Sequence, residues 1–189
     1  MKKLVLAVVF VFIMCNVAQV LAQGFSADMI STANGQTMTA KIYASEYKSR
    51  VETADSIIIS RPDKKVAWIL MPSQKQYMEQ EFDPSKMAAS ARDVAGEIER
   101  VNMGKETVGG VAADKYKVTY DFNGVTNSLY QWIDPSKDLP VKSAAVDGSW
   151  TVEYKNIRVG SQPDSLFELP DGYSKFSMPD MNKMMGDMQ

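Results

Sequence analysis

KKVAWILMPSQKQYMEQEF, residues 64–82, is the most apolar stretch of the chain outside its N-terminal leader. Its strand portion puts Val66, Trp68 and Leu70 on one face and Ile69 and Met71 on the other, because successive side chains of a strand point to opposite sides. A strand in a one-sided antiparallel sheet is apolar on one face only. Large apolar groups on both faces therefore need two covers. One is the sheet's own core. The other is either more of the protein or something the protein holds.

The flanking sequence repeats the two-residue period. Tyr116, Val118, Tyr120 and Phe122 oppose Lys115, Lys117, Thr119 and Asp121, and Trp150, Val152 and Tyr154 oppose Thr151, Glu153 and Lys155. Nearer the N-terminus, Met38, Ala40, Ile42 and Ala44 oppose Thr37, Thr39 and Lys41. Asn34-Gly35, Asn123-Gly124 and Asp147-Gly148 sit between such runs and favour tight hairpin turns with positive φ. The pattern predicts a mainly β (α+β) fold, an antiparallel meander with one wet and one apolar side.

One segment departs from it. Asp83 suits an N-cap and Pro84 a first helical position. Met87, Ala91, Val94, Ala95 and Ile98 then recur at helical spacing, which predicts one amphipathic helix over 83–100. Its apolar side is mostly small, so it can lie close to what it covers, as a lid formed by Met87, Ala91, Val94 and Ile98. Asp-Pro-Ser-Lys occurs at 83–86 and again at 134–137, where it reads as turn or helix-start chemistry. Residues 176–189 carry Met178, Met181, Met184, Met185 and Met188 among polar residues and are predicted to be a flexible tail.

The N-terminus sets the expected compartment. Lys2 and Lys3 precede an apolar run too short to span a bilayer, and Val20-Leu21-Ala22 has a signal-peptidase pattern. Residues 1–22 are read as an export signal cleaved after Ala22, giving a periplasmic protein. Acylation of Cys15 is the rival, but Met14 stands where a lipoprotein signal needs a small residue. Of 189 residues, 167 then remain, enough for one domain over 23–175 and the tail. The whole chain has net charge −2, and the leader holds two lysines and no acid, so the mature chain carries −4. Without clustered Lys and Arg it does not suit nucleic acid.

The chain has no histidine, and its one cysteine lies in the leader. That removes histidine triads, thiol catalysis and His/Cys zinc sites. Ser45-Glu46-Tyr47-Lys48 matches Ser-x-x-Lys, yet it falls in a predicted strand and no Lys-Thr-Gly follows. No pair of carboxylates stands out. The expectation is a protein that is not an enzyme and has no cofactor and no metal site. A weaker reading gives the Met tail to Cu(I), which thioethers suit.

The aromatic residues are the remaining signal. Trp68, Tyr77, Tyr116 and Tyr120 fall on or beside predicted strands, as do Trp132, Trp150, Tyr154 and Tyr130. Each could be ordinary core. Together with Leu70 they could line a concave apolar face that one small-residue helix cannot fill, and such pockets suit lipid-like ligands. The ligand-binding set predicted from the sequence is Trp68, Leu70, Tyr77, Tyr116, Tyr120, Trp132, Trp150 and Tyr154. The side of residues 65–71 that bears Trp68 is taken as the groove side.

An ordered series of short motifs carries a family likeness. It runs from Ile59-Ser60-Arg61-Pro62-Asp63-Lys64-Lys65 through Trp68-Ile69-Leu70-Met71-Pro72 and Lys75-Gln76-Tyr77-Met78-Glu79. It continues with Gly109-Gly110-Val111-Ala112-Ala113-Asp114-Lys115-Tyr116, Trp132-Ile133-Asp134 and Leu139-Pro140-Val141-Lys142, and closes on Phe167-Glu168-Leu169-Pro170-Asp171-Gly172-Tyr173. From about residue 25 to 173 the chain resembles an uncharacterised family of exported bacterial proteins in the LolA/LolB-like superfamily. The resemblance implies a curved, unclosed antiparallel half-barrel with a helical lid, binding lipid or lipoprotein acyl chains as a monomer. It also implies an arginine that latches the lid, a role left open among Arg50, Arg61, Arg92, Arg100 and Arg158. The alternative is a self-filled half-barrel that serves as an interaction module for an envelope protein.

Overall fold

The computed structural model describes residues 24–45, 47–83 and 91–176. The leader, most of the Met-rich tail and Met87 lie outside the described residues, so the export signal, the copper reading and that lid position do too.

The strands are β1 (Phe25–Ala33), β2 (Gln36–Ser45), β3 (Lys48–Glu52), β4 (Ile57–Arg61), β5 (Val66–Met71) and β6 (Gln76–Glu81). They continue as β7 (Glu97–Val108), β8 (Val111–Phe122), β9 (Val125–Asp134), β10 (Leu139–Ala145), β11 (Trp150–Val159) and β12 (Ser174–Lys175). All belong to one sheet in the order β12-β6-β5-β4-β3-β2-β1-β11-β10-β9-β8-β7, which is an unclosed half-barrel. The predicted meander is present, and Asn34-Gly35 and Asn123-Gly124 turn with positive φ at both residues, as two-residue hairpins need. β1 pairs with β11, so the two halves of the meander join in the middle of the sheet. The two-residue β12 is parallel to β6.

This order has a topological consequence. β6 lies next to the β12 end of the sheet and β7 forms the other end, so the β6–β7 connection links strands near opposite ends of the sheet. Its described part, 91–96, contributes Ala91 to a buried cluster with Phe25, Ala27, Met29, Ile42, Leu139 and Val152. We call this face of the sheet the inner face, and the opposite one the outer face.

The helix predicted over 83–100 does not extend through its second half. Residues 91–96 form turns, and β7 begins at Glu97. Ile98, expected on the apolar side of that helix, lies on β7 and is 63% exposed. Pairing with β8 along the length of β7 satisfies backbone groups that a helix would have satisfied internally. Gly96, at φ +72, ends the connection, and its carbonyl accepts from Asp121 N–H at 2.9 Å. A Cβ here would stand 2.3 Å from the Asp121 carbonyl oxygen, so only glycine permits this approach.

Candidate functional site

Residues directly opposite one another in paired strands share a face, so the register sorts the predicted ligand set. On the outer face Tyr43, Arg50, Ile59, Trp68 and Glu79 stand opposite one another across β2 to β6, as do Ile57, Leu70 and Tyr77 across β4 to β6. On the inner face Met29 stands between Ala40 and Tyr154, and Ala33 faces Trp150. Tyr116 and Tyr120 lie on the inner face too, through Gln131, Ser143 and Val152. Trp132, one position from Gln131, therefore points outward. The structure gathers Tyr116, Tyr120, Trp150 and Tyr154 on one side and Trp68, Leu70, Tyr77 and Trp132 on the other.

The outer group is covered by the chain itself. Trp68, Leu70 and Ile59 pack with Phe167, which is wholly buried in the 3₁₀ turn Asp164–Phe167, while Tyr77, Leu166, Leu169 and Tyr173 fill in around them. This C-terminal strap is tied down by charge. Arg50 Nη1 donates to the Leu166 carbonyl at 3.0 Å and Arg61 Nη1 to the Phe167 carbonyl at 3.1 Å. Arg61 also pairs with Asp63 at 2.7 Å and with Glu168. Lys48 pairs with Asp164 at 2.7 Å and Lys175 with Glu79 at 2.7 Å. Phe167 thus packs on the side of residues 65–71 that bears Trp68, the side the sequence reading takes as the groove. Trp132 is likewise closed over. Lys115 and Lys142 stand above its ring at 4.9 and 5.4 Å, and its Nε1 donates to Glu106 at 2.8 Å.

The inner face has a different cover. Ala91 lies among its apolar residues, and Arg92 and Arg100 hold the connection at the β7–β9 side. Arg100 Nη2 donates to the Arg92 carbonyl at 2.7 Å, and Nη1 donates to Gln131 Oε1 at 2.8 Å. Glu97 accepts from Arg100 Nε and Nη2 at 2.8 and 2.7 Å, and from Val94 N–H at 3.1 Å. Both guanidinium groups lie over the Tyr116 ring, at 5.9 Å for Arg92 and 5.3 Å for Arg100. Arg92 closes the far side through a 3.0 Å pair with the exposed Asp138. Val94 is half-buried, so among 91–96 only Ala91 is fully buried. Polar ties, rather than apolar area, hold this segment down. Burial pushes the Tyr154 and Tyr120 hydroxyls above the ordinary phenol range.

A void of about 10 Å³ remains between Phe25, Ala27, Leu139, Pro140, Tyr154 and Ile157. That is no more than the least space a water needs. A roomier cleft, of about 600 Å³, lies among Asp28, Ile30, Thr39, Lys41, Glu52 and Lys155 on the outer face. Its alternating charges make it a poor host for an apolar chain, so size does not select it. Among the described residues no group of three His, Cys, Asp or Glu side chains is placed to hold a metal.

An unclosed antiparallel half-barrel whose β6–β7 connection places Ala91 on the inner face is the LolA/LolB-like fold. The chain belongs to the family described as a domain of unknown function (DUF4412), whose model matches residues 20–139. No curated protein matches it. Among solved structures it is similar to an uncharacterised conserved protein from Thermus thermophilus, at 12% identity and a TM-score of 0.61, over 82% of this chain and 91% of that one. It is also similar to MucB, at 17% identity and a TM-score of 0.52, over 79% of this chain. The match spans 58% of MucB, little more than half its length. MucB in complex with MucA(peri) matches at 16% identity and a TM-score of 0.50, over 79% of this chain and 55% of that one. At these identities the likeness is one of fold.

Proposed function

We propose that the chain is an exported, non-enzymatic carrier or sensor that holds the acyl chain of a lipid or lipoprotein on its inner face, beneath the β6–β7 connection. One observation carries the reading. The connection links strands near opposite ends of the sheet and inserts Ala91 into an apolar inner face, while its described part is held by hydrogen bonds and ion pairs of Arg92 and Arg100. A cover held that way can be released without unfolding the sheet. Arg100 takes the latching role, since it grips the connection's own backbone. The inner-face residues Tyr116, Tyr120, Trp150 and Tyr154 line the ligand's path. Burying a sixteen-carbon chain yields on the order of 13 kcal/mol gross at about 0.8 per CH₂. Association and ordering take back a large share, which leaves micromolar binding, about −8 kcal/mol.

The second reading is a self-filled interaction module for an envelope protein, and the smallness of the void between Phe25, Leu139 and Tyr154 favours it. MucB, similar in fold, is solved in complex with MucA(peri). Organic extraction of protein purified from the periplasm, followed by mass spectrometry, separates the two. The carrier reading expects co-purified acyl lipid, or uptake of added palmitate at micromolar concentration. Protein that neither contains nor takes up any lipid leaves the interaction module.

A further inference from the structure

The inner face is interrupted by one row with polar members. Tyr116, Gln131, Ser143, Val152, Ser31 and Met38 stand opposite one another across β8, β9, β10, β11, β1 and β2. Gln131 is 4% exposed and Ser31 is 3% exposed. Arg100 Nη1 donates to Gln131 Oε1, and this fixes the amide. A guanidinium has no acceptor, so the oxygen must face it and the Nε2 donors must face away. Among the described residues, Gln131 Nε2, Ser31 Oγ and Ser143 Oγ have no hydrogen-bond partner. Among the described residues, Arg100 Nη1 has one partner, Gln131, for its two hydrogens, while Nε and Nη2 are taken by Glu97 and the Arg92 carbonyl. Buried donors are rarely left unmade in native proteins, since each forfeits its hydration without return. Amide and guanidinium hydrogens can be satisfied only by an acceptor.

We infer that this row seats the acyl carbonyl of the ligand, so that the protein selects carbonyl-headed chains, as carboxylates or esters, over plain hydrocarbon. Gln131 Nε2 and the spare Arg100 hydrogen donate to the carbonyl oxygens, and Ser143, directly opposite Gln131, is placed for a second oxygen. The chain then runs over the neighbouring row of Ala40, Met29 and Tyr154. The inference rests on the carrier reading and names the chemistry of its ligand.

The test uses residues 23–189 loaded with the apolar dye N-phenyl-1-naphthylamine and displaced by palmitate, methyl palmitate or hexadecane. Both carbonyl compounds should displace the dye at about tenfold lower concentration than hexadecane, the scale of one or two net hydrogen bonds. Gln131→Glu keeps the acceptor for Arg100 and removes the donors. Gln131→Met removes both. Each should move the methyl palmitate-to-hexadecane ratio toward one, leaving only the share that Arg100 and Ser143 supply. Preference for palmitate over its ester assigns the free acid as ligand, and the reverse assigns an ester. Equal displacement by hexadecane in the wild type, or a preference that neither substitution reduces, overturns the inference and gives the row to water, with the carrier reading intact. Failure to bind dye or any lipid overturns both.

Discussion

Trp68 illustrates how one side chain's environment fixes its role. Its ring packs with Phe167, Ile59 and Leu70, its Nε1 donates to Glu79 at 3.1 Å, and Lys64 stands 5.6 Å from the ring centroid. Trp68→Ala should cost about 3–5 kcal/mol in urea unfolding, the usual scale for truncating a large buried aromatic. Dye binding per folded molecule should persist. A cost under about 1 kcal/mol with loss of dye binding would return Trp68 to the ligand site. The sequence shows which residues of 66–71 share a face, because the strand period is two. It does not show which face is inner, because both are apolar. That choice is made by Phe167, a residue far along the chain whose own surroundings carry no periodic signal. Gln131 escapes the sequence pattern for a related reason. A single polar residue between Tyr130 and Trp132 reads as the wet side of a strand, and only the cross-strand register places it inside.

Two elements outside the sheet behave differently because they are held differently. The C-terminal strap is tied by carboxylates kept below their ordinary values. For Asp63 the main cause is the hydrogen bond from Arg61, and for Glu168 it is the bond from Lys64, followed by that from Arg61. A depressed folded-state value means the pairing helps fully above the ordinary carboxylate range and fades as pH falls through the lower value. Hydrogen exchange over 163–176 should therefore show full protection at pH 7 and weaker protection below about pH 4, after correction for intrinsic rates. Protection that is unchanged at pH 3, or lost on raising the pH, contradicts this. The β6–β7 connection rests on a small apolar contact. Ala91→Leu should weaken dye uptake by crowding the inner face while changing stability little. Destabilisation of the empty protein by about 1–3 kcal/mol, as in an overpacked core, would make 91–96 scaffold instead of lid. The spacing of Ala91, Val94 and Ile98 suits a helix, but local spacing cannot register that β8 offers Glu97 onward a partner strand. Tertiary pairing overrides it.

For the whole molecule, the meander and its hairpins are legible because alternation and Asn-Gly turns are local signals. The position of the connection is not. It follows from β1 pairing with β11, a contact between the two ends of the domain that sends β6 and β7 to opposite sides of the sheet. The proposed carrier role requires this connection to lift for an acyl chain to enter. Arg92 and Asp138 face each other across a 3.0 Å ion pair, one on the connection and one at the β9–β10 turn. In residues 23–189, which contain no cysteine, Arg92→Cys with Asp138→Cys can be joined by a short bis-maleimide. The measurement is dye and palmitate binding before and after joining. The unjoined double variant should bind at micromolar concentration and lose uptake once the connection is fixed. Equal uptake by the joined and unjoined protein would contradict a lifting connection.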